Sequence, residues 1–304
     1  MGESVLFIGV GAMGKPMATN LADAGIPLSV ADLSARALEP FATRGIPTAA
    51  YGAGLDGEIV ITMLPTDRHV AGALFGAGGA LESKQRRLVI DMSSSEPSAT
   101  KATAARLAER GIAMLDAPVS GGVPKARSGE LTTMVGGDES VFESALSLLS
   151  VMCASVQHVG PAGAGHTVKA LNNFLSGVSL WASCEALIIG ARAGLDPQKM
   201  VDAWRKSTGA NNALETKIPG AILPRSFDWG FSLGLISKDV SIAARLAREL
   251  DVPAPMLVSS EEHWLLAKAQ FGSDADFTNV ARVLESWAGF ELPAVARSAQ
   301  GLRQ

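Results

Sequence analysis

Short apolar runs alternate with helical patterns over the first half of the chain. Runs of this kind, each followed by a loop or a helix, are VLFIGV, LSVAD, EIVITML, LVIDMS and AMLDAPV. Continuous apolar runs are typical of strands buried on both faces of a parallel sheet, and the helical segments between them supply the crossovers. Two more runs, TTMVGG and SVQHVG, enclose a helix that begins near Glu139. The pattern predicts an α/β fold with a Rossmann-type doubly wound sheet.

The pattern changes after Gly165. From Thr167 to Gly194, apolar residues recur at helical spacing with no strong breaker apart from Gly177 and Gly190, which predicts one helix roughly 42 Å long. Asp196 and Pro197 are typical of an N-cap and a first helical residue, and the remainder predicts helices separated by Pro and Gly. We therefore expect a Rossmann domain over residues 1–163 and an all-α domain over 164–304 that begins with the long helix. The active site is expected at the carboxyl ends of the strands.

Three glycines follow the first predicted strand: Gly9, Gly11 and Gly14. In a strand–turn–helix unit, this spacing lets the backbone turn tightly and approach a pyrophosphate, which the helix N-terminus attracts. An ordinary glycine-rich turn is the alternative in a chain with 32 glycines. The context favours the dinucleotide site, because the second predicted strand ends in Asp32, 18 residues past Gly14, where a carboxylate can bind the adenosine ribose.

The residues around Asp32 predict that the cofactor is NAD and that NADP is disfavoured. A carboxylate at this position repels a 2′-phosphate, and neither Leu33 nor Ser34 supplies a cation. Arg36 is the one nearby cation. Two unit charges at 4 Å attract by only about 1 kcal/mol in bulk water, so an exposed Arg36 does not offset Asp32.

Composition and charge point to small-molecule chemistry. The chain of 304 residues is 47% apolar, carries a net charge of −4 and has no concentrated basic stripe, so we expect neither nucleic acid nor a membrane as partner. The first residues enter a strand with no basic leader, and the longest apolar helix is interrupted by Glu185 and is a poor membrane span. The two cysteines, Cys153 and Cys184, lack metal-ligand or redox spacing. We expect a cytoplasmic protein.

Several common dehydrogenase chemistries do not fit the sequence. The one tyrosine, Tyr51, is followed four residues later by Leu55, so the Tyr-x-x-x-Lys pair of short-chain dehydrogenases is absent. Two cysteines and four histidines form no zinc-ligand cluster, so no metal is expected. A histidine base remains an alternative, because His158 and His166 lie near the domain junction, although no carboxylate stands beside either in the sequence.

Lys169 is the better candidate for proton transfer. In the segment GAGHTVKALNN, Lys169 shares a helical face with Asn172 and Asn173. An amide one turn away can hold an ammonium, and a partly desolvated lysine has a lowered pKa and becomes a general acid. Spacing alone slightly favours the alternative, a solvated lysine beside two surface amides. The segment DAPVSGG, residues 116–122, supplies a turn that can bind a carboxylate. By itself, Lys238-Asp239 is typical of a surface ion pair.

Taken together, the motifs resemble the β-hydroxyacid dehydrogenase family, which includes 3-hydroxyisobutyrate dehydrogenase and tartronate semialdehyde reductase. The resemblance covers nearly the whole chain in the same order. Its motifs are Gly9-x-Gly11-x-x-Gly14 with Met17-Ala18-x-Asn20-Leu21, Leu64-Pro65, Asp91-x-Ser93-Ser94-x-x-Pro97, Asp116-Ala117-Pro118-Val119-Ser120-Gly121-Gly122, Lys169 with Asn173, and Lys238-Asp239. Relatives often carry Ser-Thr at Ser93-Ser94, which keeps the hydroxyl and changes one methyl group.

The resemblance implies a role for most of these positions. It implies that Lys169 is the catalytic acid/base, that Asn173 orients it, and that a short acid is bound through its carboxylate by Ser120, Gly121 and Gly122. Lys125 follows this turn and could favour an acidic tail, although a solvated loop lysine is the simpler interpretation. The residues implied to contact the cofactor are Gly9, Gly11, Ala12, Met13, Gly14, Asp32, Leu64, Pro65, His69, Ser94 and Lys238.

We therefore predict an NAD-dependent enzyme for a β-hydroxyacid of about three to five carbons, with 3-hydroxyisobutyrate or a tartronate semialdehyde and glycerate-like pair as substrate. Apolar Trp229, Phe231 and Leu235 would suit a methyl substituent. Alternatives are a non-catalytic dinucleotide sensor, a decarboxylating enzyme of the 6-phosphogluconate type, or an enzyme for threonate, a sulfonated three-carbon aldehyde or an imine. The family implies a homodimer or homotetramer.

Overall fold

The computed structural model describes residues 4–82 and 86–295. The chain forms two compact units, Met1–Lys169 and Ala170–Gln304, and the division falls within one long helix. The first unit holds every named strand of the described residues, and the second is helical, so the predicted fold class is confirmed. The domain boundary at residues 163 and 164 stays a prediction.

The first unit is a nine-stranded sheet in the order β3-β2-β1-β4-β5-β6-β8-β7, with β9 beside β8. Strands β1 to β6 are parallel to one another, whereas β8 runs antiparallel to β6 and β7. This antiparallel edge departs from the expected parallel pattern. The strands are β1 Val5–Ile8, β2 Leu28–Ala31, β3 Thr48–Ala49, β4 Ile59–Thr62, β5 Leu88–Asp91, β6 Ala113–Asp116, β7 Val119–Ser120, β8 Leu131–Gly136 and β9 Cys153–Gly160.

Helices pack on both faces of this sheet because its central strands are apolar at nearly every position. Val5 and Phe7 point into one core cluster, whereas Leu6 and Ile8 point into another on the opposite face, as the period of two along a strand requires. The helices of the first unit are α1 Gly14–Asp23, α2 Ala35–Ala42, α3 Asp67–Phe75, α4 Pro97–Ala108, α5 Gly122–Ser128 and α6 Glu139–Leu149.

The second unit is built around one helical core. Helix α7 spans Ala164–Arg192, and Trp264 is fully buried at the centre of the cluster that α7 and the later helices form. As predicted, Asp196 caps the next helix by accepting a hydrogen bond from the Lys199 N–H at 3.0 Å. The later helices are α8 Pro197–Trp204, α9 Leu233–Glu249, α10 Pro255–Phe271 and α11 Val280–Ala288.

Helix α7 is long and apolar enough to qualify as a candidate membrane span by length and composition alone. This differs from the expectation based on Glu185, because a single charged residue leaves the mean hydropathy of the surrounding stretch high, at 1.5. The core helix of a water-soluble protein meets the same criterion. Here α7 contributes Leu180, Cys184 and Leu187 to the helical core, all fully buried.

A π-helix over Ala213–Ile222 was not foreseen from the sequence, and it contains a buried lysine. Lys217 is 8% exposed, and its ammonium donates a hydrogen bond to the Asn212 Oδ1. Burial lowers the pKa of Lys217 from 10.5 to about 8. π-Helical turns are rare in proteins, and burial of Lys217 costs free energy because a charged group is desolvated.

Replacing this lysine should therefore stabilise the second unit near neutral pH. The unfolded chain binds a proton at Lys217 that the folded chain releases between about pH 8 and pH 10.5, so the stability of the native protein rises over that window. We expect Lys217→Met to be more stable than the wild type by up to about 3 kcal/mol at pH 7, with the difference vanishing above pH 10.5. All five tryptophans lie in the second unit, so urea unfolding followed by tryptophan fluorescence measures it directly. Lys199→Met, at an exposed position, should change stability little at any pH; a pH-independent difference for Lys217→Met would contradict this account.

Candidate functional site

The three glycines form the turn that joins β1 to α1, and each serves a different purpose. Gly9 has a φ of +95°, a left-handed conformation that favours glycine. A Cβ on Gly14 would collide with the carbonyl oxygen of Gly9, so Gly14 is needed for the turn itself. A Cβ on Gly11 would meet no atom of the described residues within 4 Å. Packing within the described residues therefore does not require glycine at position 11, and the contact of Gly11 with a cofactor stays a prediction.

The N-terminus of α1 has the features of an anion site. No side chain caps it, its first turn holds no acidic residue, and the neighbouring Gly11 and Ala12 are exposed. Uncapped N–H groups at the positive end of a helix dipole bind phosphate groups. The turn, with Met13 as its last residue before the helix, therefore fits the pyrophosphate of a dinucleotide.

Asp32 lies at the end of β2, next to this turn. Its Oδ2 accepts a hydrogen bond from the Val10 N–H at 2.8 Å, and its Oδ1 accepts one from the Ser34 N–H at 2.8 Å. Each oxygen keeps a second acceptor position. The carboxylate is thus held in place by the backbone and can still accept further hydrogen bonds, and its contact with the ribose stays a prediction.

The remaining predicted cofactor residues of the first unit follow β4 and β5. The Leu64 N–H donates to the Ser93 hydroxyl at 2.9 Å, which ties the two loops together. Pro65 is exposed and Ser94 half-buried. His69 is also exposed, and its Nδ1 lies 2.7 Å from the hydroxyl of Thr66, the N-cap of α3. Since β2, β1, β4 and β5 are neighbouring parallel strands, these loops all lie along one edge of the sheet.

The Ser-Gly-Gly turn follows the short strand β7. Gly121 has a φ of +134° and Gly122 one of +69°, and both are exposed. Successive N–H groups in such a turn can converge on an anion. A Cβ on Gly121 would lie 2.9 Å from the Cβ of Lys125, so the side chain of that exposed lysine lies close to the turn.

Lys169 and Asn173 are both buried, at 8% and 7% exposure. The alternative of a solvated lysine among surface amides is therefore wrong. The Asn173 amide nitrogen donates a hydrogen bond to Asp239 Oδ2 at 2.6 Å, and its Oδ1 accepts one from the Asn172 amide at 3.2 Å. This arrangement fixes the orientation of the Asn173 amide, with its oxygen available as an acceptor.

Asp239 is the functional candidate that sequence reasoning missed. The pair Lys238-Asp239 resembled a surface ion pair, but Asp239 is only 4% exposed and lies 3.8 Å from the Lys238 ammonium. Its Oδ1 is buried without a hydrogen-bond partner in the described part of the chain. The helical spacing held the signal, because Asp239 falls on the face of α9 that carries the buried Ile236 and Val240. The predicted contact of Lys238 with the cofactor stays a prediction.

The described residues hold no cluster of three or more His, Cys, Asp or Glu that could bind a metal. Both cysteines are free and buried. Burial raises the pKa of the Cys153 thiol to about 12 and raises that of Cys184 as well. Neither thiol is therefore a nucleophile near neutral pH.

Two known protein families match consecutive stretches of this chain. Residues 4–160 match the family described as the NAD binding domain of 6-phosphogluconate dehydrogenase. Residues 163–284 match the family described as NAD-binding of NADP-dependent 3-hydroxyisobutyrate dehydrogenase. The two matches follow one another along the chain and support the predicted use of NAD.

Several dehydrogenases are similar to this chain, and the similarity extends over nearly the full length of each protein. A 2-(hydroxymethyl)glutarate dehydrogenase of Eubacterium barkeri is 37% identical, with 93% of this chain and 95% of the relative covered. An NAD-dependent L-serine dehydrogenase of Pseudomonas aeruginosa is 36% identical, covering 94% and 99%. The structure of the Mycobacterium tuberculosis 3-hydroxyisobutyrate dehydrogenase with L-serine is 31% identical, covers 93% and 99%, and superimposes with a TM-score of 0.85. The chain therefore belongs to the β-hydroxyacid dehydrogenase family of NAD(P)-dependent enzymes.

Proposed function

We propose that this enzyme interconverts a short β-hydroxyacid and the corresponding semialdehyde, with Lys169 as the proton-transferring residue. One observation carries the proposal: a buried lysine stands one helical turn before a buried asparagine whose amide Asp239 holds at 2.6 Å. A polar arrangement of this kind costs free energy to bury. A role in catalysis explains why Lys169 and Asn173 are buried together, whereas a contribution to the stability of the fold does not.

The first unit would hold the cofactor through the glycine turn and the N-terminus of α1, with Asp32 at the ribose. NAD, when bound, accepts a hydride from the alcohol or returns it to the aldehyde. The loops with Leu64, Pro65 and Ser94 would line the same edge of the sheet. These assignments are supported by the open space around Gly11 and by the uncapped helix.

Lys169 would move the proton that accompanies the hydride. In oxidation its neutral amine accepts the proton of the β-hydroxyl group, and in reduction its ammonium donates the proton to the aldehyde oxygen. The Asn173 Oδ1 would orient the amine, because Asp239 already occupies the Asn173 Nδ2. The backbone N–H groups of Gly121 and Gly122 and the Ser120 hydroxyl would bind the substrate carboxylate.

The names of three of the similar proteins suggest one substrate class. L-Serine, 3-hydroxyisobutyrate and 2-(hydroxymethyl)glutarate each carry a CH₂OH group next to the carbon that bears the carboxylate, and they differ in the third substituent. We propose 2-substituted 3-hydroxypropanoates as the class for this enzyme. Glycerate, the reduced partner of tartronate semialdehyde, belongs to the same class.

Oxidation of such acids with NAD, followed by NADH absorbance, tests the proposal. The panel comprises 3-hydroxyisobutyrate, L-serine, glycerate and 2-(hydroxymethyl)glutarate, with threonate and a sulfonated three-carbon analogue beside them. The matched control is the methyl ester of 3-hydroxyisobutyrate, which has the same alcohol but no carboxylate. We expect kcat/KM for at least one acid to exceed that of the ester about 100-fold, since hydrogen bonds to a charged group contribute about 1.5–3 kcal/mol each. An ester that reacts as well as every acid would rule out carboxylate binding by the Ser-Gly-Gly turn.

Discrimination between the two cofactors is a second expectation. At 4 Å, Asp32 and a 2′-phosphate would repel by roughly 1 to 4 kcal/mol, so kcat/KM with NAD should exceed that with NADP at least about fivefold. Asp32→Asn should narrow this ratio, because the amide carries no charge. Arg36→Ala, at an exposed neighbouring position, should leave the ratio within about threefold. An equal or higher kcat/KM with NADP for the wild type would refute this assignment of Asp32.

A further inference from the structure

A buried polar network lies where β4, β5 and β6 end. The last residues of these strands are Thr62, Asp91 and Asp116, and all three are buried. Asp91 accepts hydrogen bonds from the Thr62 hydroxyl at 2.8 Å and from the Ser95 hydroxyl at 2.9 Å. Burial of two carboxylates on neighbouring strands costs free energy because both are desolvated. Neither carboxylate has a role in the proton transfer, the cofactor binding or the substrate binding proposed above.

Asp116 caps the helix that carries Lys169. Its Oδ1 accepts a hydrogen bond from the Gly163 N–H at 2.7 Å, and its Oδ2 accepts one from the His166 N–H at 2.9 Å. Helix α7 begins at Ala164, so these donors belong to the end of the helix where backbone N–H groups lack helical partners. Burial raises the pKa of Asp116, against the opposing effects of the His166 ring and these two N–H groups. A carboxylate from a strand thus replaces the N-cap side chain that α7 itself does not supply.

The backbone of the first turn of α7 lies so close to β6 and β8 that only glycine fits at the contact. A Cβ on Gly165 would collide with the carbonyl oxygens of Asp116 and Met134. A Cβ on Gly136, the β8 partner of Asp116, would lie 2.5 Å from Asp116 Oδ1 and 2.8 Å from the Gly165 nitrogen. The first turn of α7 is therefore held directly against the ends of β6 and β8.

The ring of His166 fills the remaining space and is 1% exposed as a residue. Its Nε2 donates a hydrogen bond to the Ser93 carbonyl oxygen at 3.0 Å, and its Nδ1 lies 2.7 Å from the Thr100 hydroxyl. The carboxylates of Asp91 and Asp116 lie 3.8 and 3.7 Å from these two nitrogens. Both nitrogens are thus engaged inside the protein, so the alternative of His166 as the catalytic base is wrong. No residue next to His166 in the sequence supplies a carboxylate, but in the folded protein Asp91 and Asp116 supply two from the ends of β5 and β6.

Lys169 follows His166 by three residues, about 4.5 Å along the helix axis. A shift of the first turn would therefore carry the amine with it. Proton transfer requires an approach of about 2.6–3.2 Å, and a misplacement of 1 Å can cost about 100-fold in rate. We propose that Asp116 and His166 are positioning residues for proton transfer: they clamp the first turn of α7 onto the strand ends and so set the place of the Lys169 amine. This proposal rests on the role proposed for Lys169.

The first test compares two N-cap carboxylates of the same unit. Asp116→Asn keeps the shape of the side chain, but its amide nitrogen cannot accept a hydrogen bond from an N–H group. We expect kcat to fall about 10- to 100-fold, with the Kd for NADH within about threefold of the wild type. Asp138→Asn is the control, because Asp138 Oδ1 caps α6 in the same way through the Ser140 and Val141 N–H groups at 2.9 and 3.2 Å. It should lower the thermal midpoint and leave kcat within about twofold.

The second test separates positioning from packing at His166. His166→Gln keeps a donor for the Ser93 carbonyl group and a polar atom for Thr100, and should retain kcat within about fivefold. His166→Leu keeps much of the volume but neither hydrogen bond, and should lose as much activity as Asp116→Asn. Equal losses in the glutamine and leucine variants would overturn the proposal, because they would show that only the shape of the ring matters.

A readout without turnover distinguishes this proposal from failure of the proposed function. The pH dependence with which trace acetic anhydride labels Lys169, measured by mass spectrometry, reports the environment of the amine whether or not a substrate is known. We expect the labelling midpoint to shift by about half a pH unit or more in Asp116→Asn and His166→Leu, and to stay in place in Asp138→Asn. An unchanged midpoint together with an unchanged kcat in folded Asp116→Asn protein would reduce the network to a structural role.

Discussion

Lys169→Ala is expected to lose about 10²- to 10⁴-fold in kcat while it still binds NADH. General acid–base groups contribute factors of this size, and the predicted cofactor contacts lie on other elements. The buried surroundings of Lys169 make the loss larger than removal of an exposed lysine would. The measurements are steady-state kcat with the best acid of the panel and NADH affinity by fluorescence titration.

Lys169→Arg sharpens this experiment because it keeps the positive charge. A guanidinium does not release its proton at accessible pH, so we expect the arginine variant to be as inactive as the alanine variant. Lys199→Ala, at an exposed position of α8, should retain the wild-type kcat. If Lys169→Arg were active, the lysine would act through its charge and not through proton transfer. Near-normal kcat in Lys169→Ala would remove it from the mechanism.

The glycine turn should separate into one residue that folds the protein and one that binds the cofactor. A Cβ on Gly14 would collide with Gly9, so we expect Gly14→Ala to lower the thermal midpoint and to lose NADH binding together. Gly11→Ala meets open space and should keep the wild-type thermal midpoint, yet weaken NADH binding at least about tenfold.

Thermal unfolding and NADH titration of the two variants are sufficient to check this separation. Gly25→Ala is not a suitable control, because the φ of +75° at Gly25 disfavours alanine by itself. Gly72→Ala is suitable, because a Cβ there has open space and the residue lies within α3. Normal NADH affinity in Gly11→Ala would show that the dinucleotide does not approach this turn.

The local pattern was enough to predict the architecture of each unit. Three short segments are apolar at nearly every position: residues 5–8, 28–31 and 59–62. Short continuous apolar runs of this kind are typical of strands that are buried on both faces of a sheet. The helix predicted from Thr167 is observed from Ala164, and Asp196 caps α8. The antiparallel β8 and the π-helix around Lys217 were beyond reach, because strand direction and helical register depend on packing partners distant in the sequence.

The sequence by itself determined the candidates at the site: the glycine turn, Asp32, Ser120 to Gly122, Lys169 and Asn173. These are motifs in which a few neighbouring residues act through their backbone or along one helical face, so spacing along the chain suffices to find them. Spacing also left open whether Lys169 was buried or solvated, since a lysine at this position of an amphipathic helix is compatible with either environment.

Only the tertiary structure decided that question, and only it revealed Asp239, Asp116 and His166 as parts of the arrangement. Asp239 reaches Asn173 across 66 positions of sequence, and Asp116 reaches the His166 N–H across 50. The free energy of a buried carboxylate depends on which donors surround it in space, and these donors come from elements that the chain brings together only on folding. Local patterns therefore identify residues that act by their own chemistry, whereas residues that act by holding others become visible once the fold defines their partners.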